Sequence, residues 1–158
     1  MIEQLTATLT IDAPADAVFR VLADPTTHPV IDGTGWVVKP VDPDPLTADG
    51  QLFRMDMYFD NPEFEDGNYR IANRVNVFDV PQAIGWLPGQ EGADGEVHAG
   101  GWSWRYDLVP VGTGRTAVTL TYDWSHVPGD VRAMISFPAA DSAHLNNSLQ
   151  HLARLVTS

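Results

Sequence analysis

The side chains best equipped for chemistry in this chain are aromatic and soft rather than nucleophilic. Trp36, Trp86, Trp102, Trp104, Tyr122 and Trp124, together with Met55 and Met57, offer large contact faces, and the thioethers adapt to irregular shapes. They suit recognition of an apolar or aromatic molecule, and they equally suit the filling of a core. Asn73 stands in phase with Ile71, Val75 and Val77, so its amide is expected to face inward. A buried amide needs partners; a ligand carbonyl or hydroxyl would serve, as would a neighbouring backbone group or a bound water. His144 follows Asp141 by three residues and precedes Leu145. That places an imidazole either at the edge of a cavity or on a solvated helix flank.

Other chemistries are excluded by what is missing. The chain has no cysteine, which removes disulfides, thiolate zinc sites and cysteine nucleophiles. His144 and His151 are seven residues apart, about 10 Å along a helix axis, too far to share a metal ion. No HxxxH pair exists, so neither a metal nor a cofactor is expected. No carboxylate pair has a spacing that suggests shared acid–base work, and no serine-centred elbow appears. Gly33-Thr34-Gly35 is too short to cradle a phosphate. Arg54, Asp56 and Tyr58 share one strand face and would form an acid–base cluster if that face were inward. Phe53, Met55, Met57 and Phe59 make the better core face, which sends the cluster outward. His28 and Asp32 form either a polar pair or, as Asp32-Gly33 favours, ordinary turn chemistry.

Charge narrows the partners. Nine Lys and Arg stand against 21 Asp and Glu, a formal net charge of -12. Such a field repels nucleic acid and anionic membrane surfaces. The N-terminal residues carry neither a basic nor an apolar leader region, and no apolar run is long enough to span a bilayer. A cytoplasmic protein, monomeric or weakly homodimeric and without membrane insertion, is expected.

The elements that must position these side chains follow from periodicity. The 158 residues suit one domain, 1–158. Leu5, Ala7, Leu9 and Ile11 alternate with threonines as a first strand. Asp12 before Ala13-Pro14 reads as a helix cap, and Asp24-Pro25 ends that helix. Strands are expected from Trp36, over Leu52 to Phe59, from Tyr69 to Val77, and over Ala83 to Leu87. Asn61 to Asn68 reads as an exposed acidic loop, and Gly89 to Gly101 as a Gly-rich loop or flap. Trp102, Trp104, Tyr106 and Leu108 then face Val118, Leu120, Tyr122 and Trp124 across a hairpin that pairs Trp104 with Tyr122. After Pro138, Leu145, Leu149, Leu152 and Val156 draw one stripe along a final helix. Strands between terminal helices make an α+β fold of six to seven antiparallel strands.

Four segments resemble a known superfamily: Ile11-Asp12-Ala13-Pro14 with Leu22-Ala23-Asp24-Pro25; His28-Pro29 with Ile31-Asp32-Gly33; Asn73-Arg74-Val75 leading to Ile84-Gly85-Trp86; and Trp102 to Leu108 leading to Thr119 to Ser125. The chain resembles the Bet v 1-like, START-related (SRPBCC) helix-grip proteins, and among them the polyketide cyclase/dehydrase family. The resemblance implies a curved sheet wrapped around the C-terminal helix and enclosing a cavity. It also brings Trp86 to that cavity. With the strand phases, the lining is then expected from Met55, Met57, Asn73, Trp86, Trp102, Trp104, Tyr122 and Trp124, closed by Leu145 and Leu149, with His144 as a candidate at the edge. The function implied is binding of a small hydrophobic or aromatic molecule, polyketide- or lipid-like. A cyclase/dehydratase-type enzyme and a cochaperone-like interaction module are the alternatives, since the superfamily contains all three and fold does not fix function. No catalytic residue is implied.

Overall fold

The structure is a computed structural model, described here for residues 3–59 and 67–157. Strand β1 (Gln4–Ile11) is followed by helix α1 (Ala15–Leu22), a single 3-10 turn at Pro25–Thr27 and the short helix α2 (His28–Ile31). Strands β2 (Val37–Pro40), β3 (Leu52–Tyr58), β4 (Asn68–Asp79), β5 (Ala83–Glu91), β6 (Val97–Ala99), β7 (Ser103–Pro110) and β8 (Thr116–Asp123) then run antiparallel. Helices α3 (Gly129–Met134) and α4 (Ser142–Thr157) complete the chain. The sheet order is β1-β8-β7-β5-β4-β3-β2, with β6 added beside β5. The sheet is strongly curled, and the architecture is the α+β helix-grip arrangement.

One face of the sheet is buried almost throughout. Opposed pairs Phe53–Asn73, Val75–Trp86, Trp86–Trp104, Ile84–Tyr106 and Trp104–Tyr122 carry it from strand to strand. The hairpin β7–β8 has the expected register, and the Trp104 and Tyr122 rings stack at 4.3 Å. Its ladder ends at Ser103–Asp123, so Trp102 and Trp124 lie one residue beyond the paired region. The other face carries ion pairs, Arg54 with Asp42 and Glu91, and Arg70 with Asp56, as the alternation over β3 requires. Helix α4 packs on β1 and β8 and on α1 and α2. It buries Leu145, Ser148, Leu149 and Leu152.

Several local features depart from the periodic pattern. Helix α1 begins after Pro14, with no side-chain cap; Asp12 instead pairs with Arg115. Asp24 caps the 3-10 turn by accepting from the Thr26 amide. A bulge between Val75 and Val77 inserts one residue, which turns Val77 away and brings Phe78 onto the core face. There Phe78 meets the edge of Phe19, their centroids 5.3 Å apart. Strand β5 continues past Pro88 to Glu91, and the segment expected as a flap supplies β6. Pro88 is tolerated because β7 pairs with β5 only as far as Trp86 and β6 begins at Gly89. The acidic segment expected as a loop from Asn61 lies, through residue 66, outside the described residues, and Asn68 already belongs to β4. Helix α4 starts at Ser142 rather than near Pro138, because the Ala139 amide donates to the Tyr122 hydroxyl and Asp141 caps the first turn.

Candidate functional site

Between the curled sheet and α4 lie two adjoining chambers. The first has a volume of about 90 Å3, and its floor is β3, β4, β5 and β7 through Met55, Asn73, Trp86 and Tyr106. Its roof is α2, the following loop and α4, through His28, Asp32, His144 and Leu145. The second, of about 110 Å3, continues toward Trp102, Tyr122 and Phe137. Trp36, Met57, Ile71, Pro88 and Trp104 line both.

Of the residues expected at a cavity, Met55, Asn73, Trp86, His144 and Leu145 line the first chamber, Trp102 and Tyr122 the second, and Met57 and Trp104 both. Trp124 and Leu149 line neither. Trp124 packs on the Tyr122 ring at 5.2 Å, and Leu149 is fully buried among the core residues beneath α4.

Asn73 is 3% exposed, and its Oδ1 is buried without a hydrogen-bond partner among the described residues. Leaving such an acceptor unpaired costs about 1–3 kcal/mol. Its place explains the orphan: it stands opposite Phe53 on one side and Pro88 on the other, neither of which offers a side-chain donor.

His28 is the roof residue that periodicity could not find, because a four-residue helix carries no repeat. Its Nε2 lies 2.8 Å from the Leu22 carbonyl. A carbonyl only accepts, so Nε2 carries the proton. Burial pushes the imidazole below its ordinary value, although the Leu22 bond works the other way. The ring is therefore neutral and its Nδ1 holds a lone pair with no partner among the described residues. The ring stacks on Trp86 at 4.8 Å and meets Phe53 edge-on at 5.6 Å.

Tyr106 is in phase with Trp104 and lines the first chamber; its hydroxyl makes no hydrogen bond among the described residues. Burial, and then the negative charge of Asp32, push its pKa up, so the phenol keeps its proton. Tyr122 is pushed up to about 12, by burial first. Asp32 itself is occupied. Its Oδ1 accepts from the Thr34 amide and hydroxyl, at 3.0 and 2.7 Å, and its Oδ2 from the Val37 amide at 3.0 Å. Asp32 and His28 are thus not a hydrogen-bonded pair. His144 is held by a reciprocal cap, its amide donating to Asp141 Oδ1 and its Nδ1 accepting from the Asp141 amide. Among the described residues no cluster of three metal-ligating side chains occurs.

The roof is pinned to α4 by two bonds. The Gly33 amide donates to Ser148 Oγ at 2.8 Å, and His151 Nδ1 donates to the Ile31 carbonyl at 3.0 Å. Gly33 is required by closeness: a Cβ there would meet the His144 carbonyl and Asn147 Cβ.

No family model matches the chain. An uncharacterized protein of Mycobacterium tuberculosis, Rv0088, is 27% identical over 128 residues, which is 80% of this chain and 50% of that protein. The chain thus spans half the length of that relative. Among solved structures, protein CV1439 of Chromobacterium violaceum superposes with a TM-score of 0.68 at 18% identity, covering 99% of this chain and 98% of that one. A point mutant of Thalictrum norcoclaurine synthase, in complex with a transition-state analogue, superposes with a TM-score of 0.62 at 17% identity, covering 98% and 93%. The fold is Bet v 1-like. A protein of Arthrobacter aurescens superposes with a TM-score of 0.69 at 12% identity, covering 98% of this chain and 86% of that one. At these identities the likeness concerns the fold alone. Among the described residues no helix is long and apolar enough to cross a membrane.

Proposed function

We propose that this chain binds a small hydrophobic or aromatic molecule between its sheet and α4, as the polyketide cyclase/dehydrase-like and START-related proteins it resembles suggest. The observation that carries the reading is an apolar cavity lined by Asn73, whose amide oxygen is buried without a hydrogen-bond partner among the described residues. A mostly apolar pocket with a few placed polar groups is the general form of a small-molecule site. A cochaperone-like module would have no need of such a space, and a core filled by side chains would have favoured it.

Azulene, a neutral two-ring hydrocarbon that accepts energy from indole, tests the reading. It should quench tryptophan emission saturably, because Trp36, Trp86 and Trp104 line the first chamber. Met55→Trp, which fills that chamber, should abolish the saturable component. Quenching that is unsaturable, or unchanged in the filled variant, would place the probe outside the cavity.

A second reading is a cyclase/dehydratase-type enzyme. It is supported by Asn73, His28, Tyr106 and His144 meeting at one chamber. A base such as His28 Nδ1 would take a proton from a carbon between two carbonyls. That carbon would attack a third carbonyl of the chain, whose oxygen takes the proton to become a hydroxyl; the base then removes the second proton of the attacking carbon, the C–O bond breaks, and the hydroxyl leaves with that proton as water. Incubation with a short poly-β-carbonyl thioester, followed by mass spectrometry for loss of water, distinguishes turnover from binding.

A further inference from the structure

Two polar groups of the first chamber present acceptors, Asn73 Oδ1 and His28 Nδ1, beside the Tyr106 hydroxyl. The Asn73 amide oxygen is buried and unpaired. His28 presents the lone pair of Nδ1, since its other nitrogen is committed to the Leu22 carbonyl. His28 stacks on Trp86 and meets Phe53 edge-on; Phe53 stands opposite Asn73 on β3, and Trp86 on β5 stands opposite Val75, two residues along β4 from Asn73. Two acceptors therefore lie over the same part of the sheet, with the Tyr106 hydroxyl lining the same chamber. Neither chamber is lined by a lysine or an arginine, and Asp32 is the one carboxylate among the lining residues. Its oxygens are already taken by Thr34 and Val37.

We infer that the occupant of this cavity is a neutral molecule bearing a hydroxyl, an alcohol or phenol, whose O–H donates to Asn73 Oδ1 or His28 Nδ1, and that carboxylates are rejected. The inference rests on the binding reading above and narrows it, setting fatty acids and aromatic acids aside. A carboxylate has no donor for these two acceptors, would meet neither a lysine nor an arginine, and would share the chamber with the carboxylate of Asp32. A hydroxyl would supply a donor to the amide oxygen, which has no partner among the described residues. The second chamber, walled by Trp102, Phe137 and Ile135 beside the shared Trp104, suits an apolar remainder of the molecule. The two adjoining chambers together exceed the ~150 Å3 cavity that accommodates one benzene ring, so a two-ring ligand would have to extend across both.

Isothermal titration calorimetry with four ligands of one skeleton tests this: 2-naphthol, 2-methoxynaphthalene, naphthalene and 2-naphthoate. The expected order has 2-naphthol at least about tenfold tighter than 2-methoxynaphthalene, a difference of about 1.4 kcal/mol, with 2-naphthoate weakest of all. Asn73→Leu should bring 2-naphthol to within about threefold of 2-methoxynaphthalene, the loss expected when one neutral hydrogen bond disappears. His28→Phe, which keeps the stack on Trp86, should act in the same direction. The wild-type ligand series decides the matter even if either variant fails to fold. Equal binding of 2-naphthol and its methyl ether, or tighter binding of 2-naphthoate, would overturn the inference while leaving cavity binding intact. Failure of all four to bind would overturn both.

Discussion

His28 links structure to pH through its burial. The folded chain holds the imidazole neutral, with its pKa below the ordinary 6.5, chiefly because burial disfavours the cation. In the unfolded chain the ring takes up a proton near 6.5. The unfolded state therefore binds more protons in the window just below that value, and stability falls as pH drops through it. Above 6.5 the contribution is fully present. Urea titrations across this window should show a slope of up to about 1.4 kcal/mol per pH unit attributable to one proton. His28→Phe should flatten that slope; an unchanged slope would assign it to another group. Asn73 and His28 also show what was legible at this scale. Asn73 was visible because strand phase forces its side chain inward, so an amide among Ile71 and Val75 signals a buried polar group. His28 was not, because its place depends on α2 folding back over β5, a long-range contact that leaves no local pattern. Tyr106 shares the phase of Trp104 and could have been placed by the same rule.

Among the elements, α4 and the loop before β2 determine whether the chambers exist. Leu149 is fully buried beneath α4, so Leu149→Ala should cost about 2–5 kcal/mol in chemical unfolding. A loss under about half a kcal/mol, the range of surface changes, would contradict its burial. Gly33→Ala acts on the other side of the roof. Its new methyl group would collide with the His144 carbonyl, which is backbone and cannot swing away. The loop must retreat and give up the Gly33–Ser148 bond, at a cost of about 1–3 kcal/mol. Azulene quenching by that variant should weaken, since Asp32, Thr34 and His144 belong to the first chamber's roof. Stability and binding both equal to the unsubstituted chain would show that the loop is not pinned there. Element order and the β7–β8 register were legible because alternation is strict on one face and a one-residue slip reverses it. The bulge at Val75–Val77 was not, because an inserted residue leaves the composition of the strand unchanged. Nor was β6, whose three residues are too few to show a period.

At the scale of the whole molecule, surface and interior separate by charge. The formal charge of -12 lies on a chain whose cavity is lined by Trp, Met, Ile and Tyr, with Asp32 the one formal charge among the lining residues. The acidic surface suits solubility, while the interior suits a neutral guest. The fold was legible from the succession of strands and helices. The division of the interior into two chambers was not, because Trp36 and Phe137 reach their walls from segments outside the long strands. The central claim is that a guest occupies the space between sheet and α4, and methionine methyl NMR tests it most directly. Met55 and Met57 line the cavity and are buried, whereas Met134 on α3 is 54% exposed and lines neither chamber. On titration of methyl-labelled protein with 2-naphthol, the Met55 and Met57 resonances should shift together and saturate while that of Met134 stays in place. Movement of Met134 alone, or of no methionine at saturating ligand, would contradict the claim.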